Sequence, residues 1–305
     1  MDIDSLNAFV NIVETGSFSK AAEAISITQP AISKRINSLE NQLDCKLFER
    51  VQRSVRLTEE GHELLPRATS ILREVENAKQ SILNISLNVS GSLTVVASHH
   101  IGLHRLPLVI KPFLQEYPEV DLKLLFMESE KAFEALDHNH ADIGFITVTP
   151  GAYPDYIEHL IWDDPMSIVC SSEHELAENQ SKNNVHKTSI EKLSKTNAIL
   201  PSKTTLTYQL VEKLFAEKDL KLNATIPTNY LETIKMMVSV GLGWSILPNT
   251  MIDEELTVLT SPEYSPSRKL GAVSHKRKTM SNAAKALIEQ AHKVWGDDSL
   301  IEQQP

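Results

Sequence analysis

Between Thr28 and Arg56 six bases, Lys34, Arg35, Lys46, Arg50, Arg53 and Arg56, stand against three acids, Glu40, Asp44 and Glu49, a net +3 inside a chain of formal charge −10. The remainder therefore carries −13, so a cationic surface sits on an anionic body. That balance suits a chain that meets a polyanion with one module and repels it elsewhere. Gln29, Pro30, Ser33, Lys34 and Arg35 open a segment with helical periodicity. A glutamine there can pair bidentately with adenine, and a lysine or arginine with guanine. Arg50 and Arg53 interleave with Val51, Val55 and Leu57, which suits contacts to phosphate that set affinity and register.

These residues need elements to present them. Leu6, Phe9, Val10 and Val13 recur at helical spacing and end at Gly16, which reads as an amphipathic helix with its C-cap. Ser17 or Ser19 then caps a shorter helix through Ala21, Ala22 and Ile25. A third helix is expected over Gln29–Leu43, with Thr28 as N-cap and Pro30 in the first turn, where its missing N–H costs little. On it Ile32, Ile36, Leu39 and Leu43 fall within about a 60° sector and form the buried face. Pro30, Ser33, Lys34 and Asn37 project on the opposite side, with Arg35 on a flank. Two helices joined by a short turn, the second presenting Gln, Ser, Lys and Arg, make a helix-turn-helix that enters the major groove. The arginine-rich run after Phe48 reads as a two-stranded wing.

From Thr58 the pattern changes. Leu64, Ala68, Ile71, Val75, Ala78, Ile82, Ile85 and Val89 are spaced alternately by four and three, a narrow seam best hidden against a second helix. We expect a dimerisation helix, with Pro66 near its start and Gly91 at its end. Beyond it, Leu93–Ala97, a helix over His104–Glu116, Val120–Met127, a helix over Ser129–Leu136 and Asp142–Val148 give βαβαβ, hence a parallel sheet with helical crossovers. A second series runs through Pro165–Ser171, a helix after Lys203, the strand Ala224–Pro227, the helix Leu231–Val240 and Trp244–Leu247. Arg268–Ser274 reads as a strand and Thr279–Trp295 as a closing helix. Two α/β halves with the tail returning to the first make a bilobed body with a cleft.

The run SFSKAAEAISITQPAISKRINSLENQLDCKLFERVQRSVRLTEEG resembles the winged helix-turn-helix of LysR-type transcriptional regulators, including the TQPAIS start of the reading helix and the LFER turn before the wing. ADIGFI and VSVGLGWSILP, Val238–Pro248, match that family's effector domain. The resemblance implies a winged helix-turn-helix domain over residues 1–58, a linker helix over 59–90 and a periplasmic-binding-protein-like effector domain of two Rossmann-like lobes over 91–305. We set lobe I at 91–161 with 268–305 and lobe II at 162–267. It also implies double-stranded operator DNA as partner, a small-molecule effector, and assembly with itself as homodimer or homotetramer that bends the promoter. Two reading helices would then meet half-sites about one turn, ~34 Å, apart or a multiple of that.

Open α/β sheets bind ligands beyond the carboxyl ends of their strands, near helix N-termini. That geometry selects the loops at Ser98-His99-His100 and Glu128-Ser129, and opposite them Pro201-Ser202-Lys203-Thr204 and Thr228-Asn229-Tyr230. In the family the matching loops line the effector cleft, so Ser98, His99, His100, Ser202, Lys203, Thr204 and Thr228 are the expected effector contacts. Their hydroxyls, lysine and helix N-termini favour an anionic metabolite such as a carboxylate.

His99, His100 and His104 invite a metal reading, because positions 100 and 104 are i, i+4, yet no nearby Cys or Asp completes a set. We assign no metal and no cofactor. Ser17-Phe18-Ser19-Lys20 fits S-x-x-K without the companion motifs of that chemistry, and Gly241-Leu242-Gly243 follows a helix instead of opening one. No G-x-S-x-G and no Walker sequence occurs, so no enzyme is expected. The alternative is a small-molecule binding protein or ligand-binding enzyme whose N-terminal helices serve only dimerisation. Cys45 and Cys170 stand too far apart in context for a disulfide framework and read as core residues. No apolar run approaches the ~20 residues of a membrane helix, and MDIDSLNAFV carries acids where a signal peptide carries bases, so a cytoplasmic protein is expected.

Overall fold

In the computed structural model, which describes residues 1–51, 54–177, 185–225, 228–261 and 264–296, the chain divides into two units. One comprises Met1–Leu87 with Arg277–Ser281, the other Asn88–Lys276 and the chain from Asn282 onward.

The first unit opens with α1 (Ile3–Thr15), started by Asp2, whose carboxylate accepts from the Ser5 N–H at 2.8 Å, and stopped by Gly16 at φ 64. Ser17 takes the N-cap of α2 (Phe18–Ala24). α3 (Gln29–Leu43) follows with Thr28 at its N-cap position, although the Thr28 side chain makes no capping hydrogen bond. Ile32, Ile36 and Leu39 are buried against Leu6, Phe9 and Ile12 of α1 and Ala21 of α2. Leu43, expected on the same buried face, is exposed, because it lies in the last turn where the chain leaves through Asp44 at φ 52. The wing is the antiparallel pair β1 (Phe48–Val51) and β2 (Ser54–Leu57), anchored by Phe48, whose ring sits 5.4 Å from Phe9 and 5.6 Å from Phe18. Buried Glu40 fixes the entry to the wing by accepting from the Leu47 N–H at 2.9 Å and from Lys46 Nζ at 2.6 Å.

Thr58 caps α4 (Glu59–Leu83) through the Gly61 N–H, and the helix continues through Pro66. Gly61 is required there, since a Cβ would stand 2.3 Å from the Leu47 carbonyl. The seam predicts a helix to Gly91, but α4 stops at Leu83. The run from Asn84 to Gly91 is rich in Asn and Ser, which compete with helix by bonding nearby backbone. Gly91, at φ 91, opens the next strand instead of ending the helix, and Ile85 and Val89 fall beyond the helical seam.

The second unit begins with β3 (Gly91–Ala97), α5 (His99–His104), α6 (Leu106–Glu116), β4 (Val120–Phe126), α7 (Ser129–Asp137) and β5 (Ile143–Val148). The helix expected over His104–Glu116 is α6, which starts at Leu106, and a separate short helix, α5, precedes it across Arg105, so that His99 and His100 are helical. Next come β6 (Tyr156–Ser171), β7 (Val185–Lys187), α8 (Ile190–Ser194), α9 (Leu206–Glu217), α10 (Leu231–Ser239), β8 (Ser245–Pro248), β9 (Leu256–Thr260), β10 (Ser267–His275) and α11 (Asn282–Gly296). Of the expected strand Ala224–Pro227, Ala224 makes an isolated bridge to Ala198, and residues 226 and 227 lie outside the described residues. β7, α8 and β9 have no counterpart among the elements expected from the sequence pattern.

Strand order is β4-β3-β5-β10-β6-β9-β7, with β8 on β6. β3 is parallel to β4 and β5, whereas β10 is antiparallel to β5 and β6. The first part of the sixteen-residue β6 pairs with β10, and its last six residues pair with β8 and β9. β6 thus leaves one α/β lobe and enters the other, and the chain returns just ahead of β10. In the second lobe Met166, Ile168 and Cys170 pack with α9 and Trp244 on one face, while Val169 packs with α10 on the other, the alternation of a strand covered on both sides.

Candidate functional site

Gln29, Pro30 and Lys34 are exposed on α3 and Ser33 is half-buried, with Gln29 Nε2 3.4 Å from Ser33 Oγ. Lys34 makes no ion pair among the described residues. Arg35 is held to Asp4 of α1 at 2.9 Å, so its guanidinium also ties the two helices together. Arg50 lies in β1 opposite Val55, and Arg53 lies outside the described residues.

In the second unit a cavity of about 200 Å³ opens between the two lobes. Its wall is built where the sequence geometry places it, beyond the carboxyl ends of β3, β4 and β5 and at the N-termini of α5, α7, α9 and α10. Ser98, His99, His100 and Thr204 line it together. Ser98 occupies the N-cap of α5 without a side-chain cap bond. Ser202, Lys203 and Thr228 lie outside the wall. The Ser202 N–H and hydroxyl both donate to Asn229 Oδ1, at 2.8 and 2.9 Å, Lys203 is exposed to solvent, and the Thr228 hydroxyl accepts from the Tyr230 N–H at 3.4 Å.

Several lining groups escape sequence reasoning, among them Thr147, Thr149, Tyr153, Thr207 and Arg268, whereas Asn229 comes from a selected loop in which Thr228 is the expected contact. Asn229 spans the lobes by donating from Nδ2 to Glu128 Oε1 at 2.5 Å. Hydrogen bonds from Asn229 and Lys131 hold the Glu128 carboxyl below the usual carboxylate range.

Beneath the pocket lies a buried ionic cluster. Asp164 of β6 accepts from Arg268 Nε at 2.8 Å and Nη2 at 2.6 Å, and Arg105 Nη2 lies 3.5 Å away. Arg268 Nη1 also donates to Thr207 Oγ1 at 3.3 Å. Burial opposes ionisation of Asp164, yet His100 and Arg268 outweigh it and keep its carboxyl down at about 2. His100 Nε2 sits 3.8 Å from Asp164 Oδ1, an ion-pair separation too long for a hydrogen bond. Burial also pushes the His100 imidazole below its usual range. One carboxylate thus faces two guanidiniums. The sequence gives little cue, since Asp164 follows Asp163 and Arg268 precedes Lys269, and the buried pair looks like an ordinary run of charges.

No Cys or Asp close in sequence completes a set with His100 and His104, but the fold brings them an acid from elsewhere in the chain. Glu232, 128 residues from His104, is brought by α10 to within 3.3 Å of its Nε2. Residue spacing along one helix carries no trace of that approach.

The family model for a bacterial regulatory helix-turn-helix protein of the lysR family matches residues 3–62, and that for a LysR substrate binding domain matches 87–296. An uncharacterized HTH-type transcriptional regulator of Azotobacter vinelandii is 55% identical over 112 residues, 37% of this chain and 78% of that one. The uncharacterized HTH-type regulator YbhD of Escherichia coli is 27% identical over 302 residues, covering 97% of this chain and 93% of the relative. Among solved structures, a full-length OxyR point variant from Pseudomonas aeruginosa superposes with a TM-score of 0.73 at 21% identity, over 100% of this chain and 99% of that one. The chain belongs to the LysR family of DNA-binding transcriptional regulators.

Proposed function

We propose that this regulator, acting in the cytoplasm as a homodimer or homotetramer and without catalysis, reads operator half-sites with Gln29, Pro30, Ser33 and Lys34 and responds to a small anion held between its lobes. Arg35 supports α3 through Asp4, and Arg50 and Arg53 are proposed to secure the wing on phosphate. The effector class rests on one observation, the Arg268 guanidinium in the lining of a pocket walled also by the hydroxyls of Ser98, Thr149 and Thr204. Two acids, Glu128 and Glu130, also line the pocket, and Glu128 is matched by Lys131 at 3.1 Å. A void of about 200 Å³ accommodates a small organic acid more readily than a drug-sized ligand, for which pockets run to ~300 Å³ and above. A ligand shifts the lobes only through its preference for one arrangement, and moving a balance from 1:99 to 99:1 takes about 5.5 kcal/mol.

Calorimetric titration of the full chain with small carboxylates and their neutral amides tests the effector class. A carboxylate that binds at least tenfold more tightly than its amide is expected. Equal affinity for the two refutes an anion-selective pocket.

A further inference from the structure

His100 is buried, with 6% of its surface exposed, and neither of its ring nitrogens has a hydrogen-bond partner among the described residues. An imidazole in that state is costly unless something meets its nitrogens. One turn on, the His104 ring lies with its centroid 4.9 Å from that of His100, and His104 Nε2 stands 3.3 Å from Glu232 Oε1. One ligand atom from each of the three falls within 4.8 Å of the others. Ligands about 2.0–2.1 Å from a tetrahedral zinc ion are ~3.3 Å apart, a separation His104 and Glu232 already have.

We propose that His100, His104 and Glu232 form a site for a divalent transition metal, with zinc the fitting ion, that ties α5 of one lobe to α10 of the other. Two imidazoles and one carboxylate are a recurrent zinc ligand set, with a fourth position left open. Asp164 stands 3.8 Å from His100 Nε2, beyond hydrogen-bond distance as the ring now lies, and is the carboxylate within reach as an outer partner for a metal-bound imidazole. Arg105 and Arg268 are nearby cations, and both are paired with Asp164, while Glu232 supplies negative charge at the site itself. Since its ligands come from both lobes, the ion restrains their relative arrangement whether or not an organic effector is bound. The site does not depend on the identity of that effector.

The test uses the full chain, stripped with chelator and titrated with Zn²⁺ by calorimetry and with Co²⁺ by visible absorption. One site per chain is expected, with a four- or five-coordinate cobalt spectrum that Zn²⁺ displaces. Glu232→Gln and His104→Gln should each weaken Zn²⁺ binding by roughly tenfold or more and abolish the cobalt spectrum. Both residues are partly exposed, so these variants should fold, which circular dichroism in chelator verifies. The double variant His138→Gln/His140→Gln, at the other close histidine pair, should bind as the parent does. Unchanged Zn²⁺ affinity in Glu232→Gln and His104→Gln, or loss of the site in the His138/His140 variant instead, overturns the proposal. So does the absence of a stoichiometric site in the parent.

Discussion

Asp164 and Arg268 stand directly opposite each other on β6 and β10, and the carboxylate, with no solvent exposure, receives two hydrogen bonds from the guanidinium. Cross-strand pairs of opposite charge are ordinary at a sheet surface. This one is buried where the lobes meet, and its worth lies in what its loss leaves behind. Asp164→Asn strips the buried Arg268 guanidinium of the carboxylate that holds it, and breaking a buried pair in this way costs about 3–5 kcal/mol. Urea unfolding monitored by tryptophan fluorescence should show that loss. A change below about 1 kcal/mol would mean that the guanidinium is compensated elsewhere.

The Glu128–Asn229 bond crosses the pocket, and its strength depends on an ionised carboxylate. The folded state holds Glu128 below its ordinary value of 4.5, so its contribution is complete above that pH and fades as the pH falls below it. The difference in Tm between the parent chain and Glu128→Gln should therefore narrow progressively as the pH is lowered from neutral through and below 4.5. A gap that persists at the acid end contradicts the pairing.

On α3, Lys34 and Arg35 are adjacent cations with different engagements. Lys34→Ala is expected to weaken operator binding by about 1–3 kcal/mol if its contact is to a base, and by less with a shallower salt dependence if to phosphate. Asp4→Ala releases Arg35 and should cost under about 1 kcal/mol of stability, as exposed pairs do. Gel-shift titrations across salt, beside thermal unfolding, distinguish the two. Equal loss of DNA affinity in Lys34→Ala and Asp4→Ala would show that the helix orientation matters more than the Lys34 contact.

Burial pushes the Cys170 thiol up to about 12, whereas Cys45 is only partly buried. The thiolate is the reactive form, so alkylation of the native chain should mark Cys45 first and spare Cys170 until the second lobe unfolds. Peptide mass spectrometry after brief iodoacetamide treatment reads this directly, and early labelling of Cys170 would show that its strand opens in the native state.

The N-terminal unit is legible because its elements are local. Capping residues, Gly16, Pro30 and the Ile32/Ile36/Leu39 stripe all act within a few residues of one another, and periodicity reads such relations. The α4 terminus escapes because the seam's spacing continues past Asn84, while turn-forming Asn and Ser end the helix. β9 is a five-residue run of Leu, Thr and Val bounded by Asp253 and by Ser261-Pro262, so its signal is present but short. In the pocket, loops after parallel strands can be picked by rule, which brings in Ser98, His99, His100 and Thr204. Arg268 and Glu232 meet the chain around His100 and His104 only through tertiary folding across more than 100 residues, and their types alone do not announce it. Asn229 lies in a selected loop, but its bond to Glu128, 101 residues away, is equally silent in the sequence. Ser202 shows the converse, a polar loop residue whose hydroxyl is spent on Asn229.

β6 and the stretch leading into β10 are neighbouring passages between the lobes, joined where the Met166 N–H meets the Pro266 carbonyl. Two straps side by side resist shear and twisting about their own length, and yield most easily by bending across their common width. Relative movement of the lobes is therefore easiest about one spine, like the leaves of a book, and a small bend there grows into a larger sweep at the outer edge of each leaf.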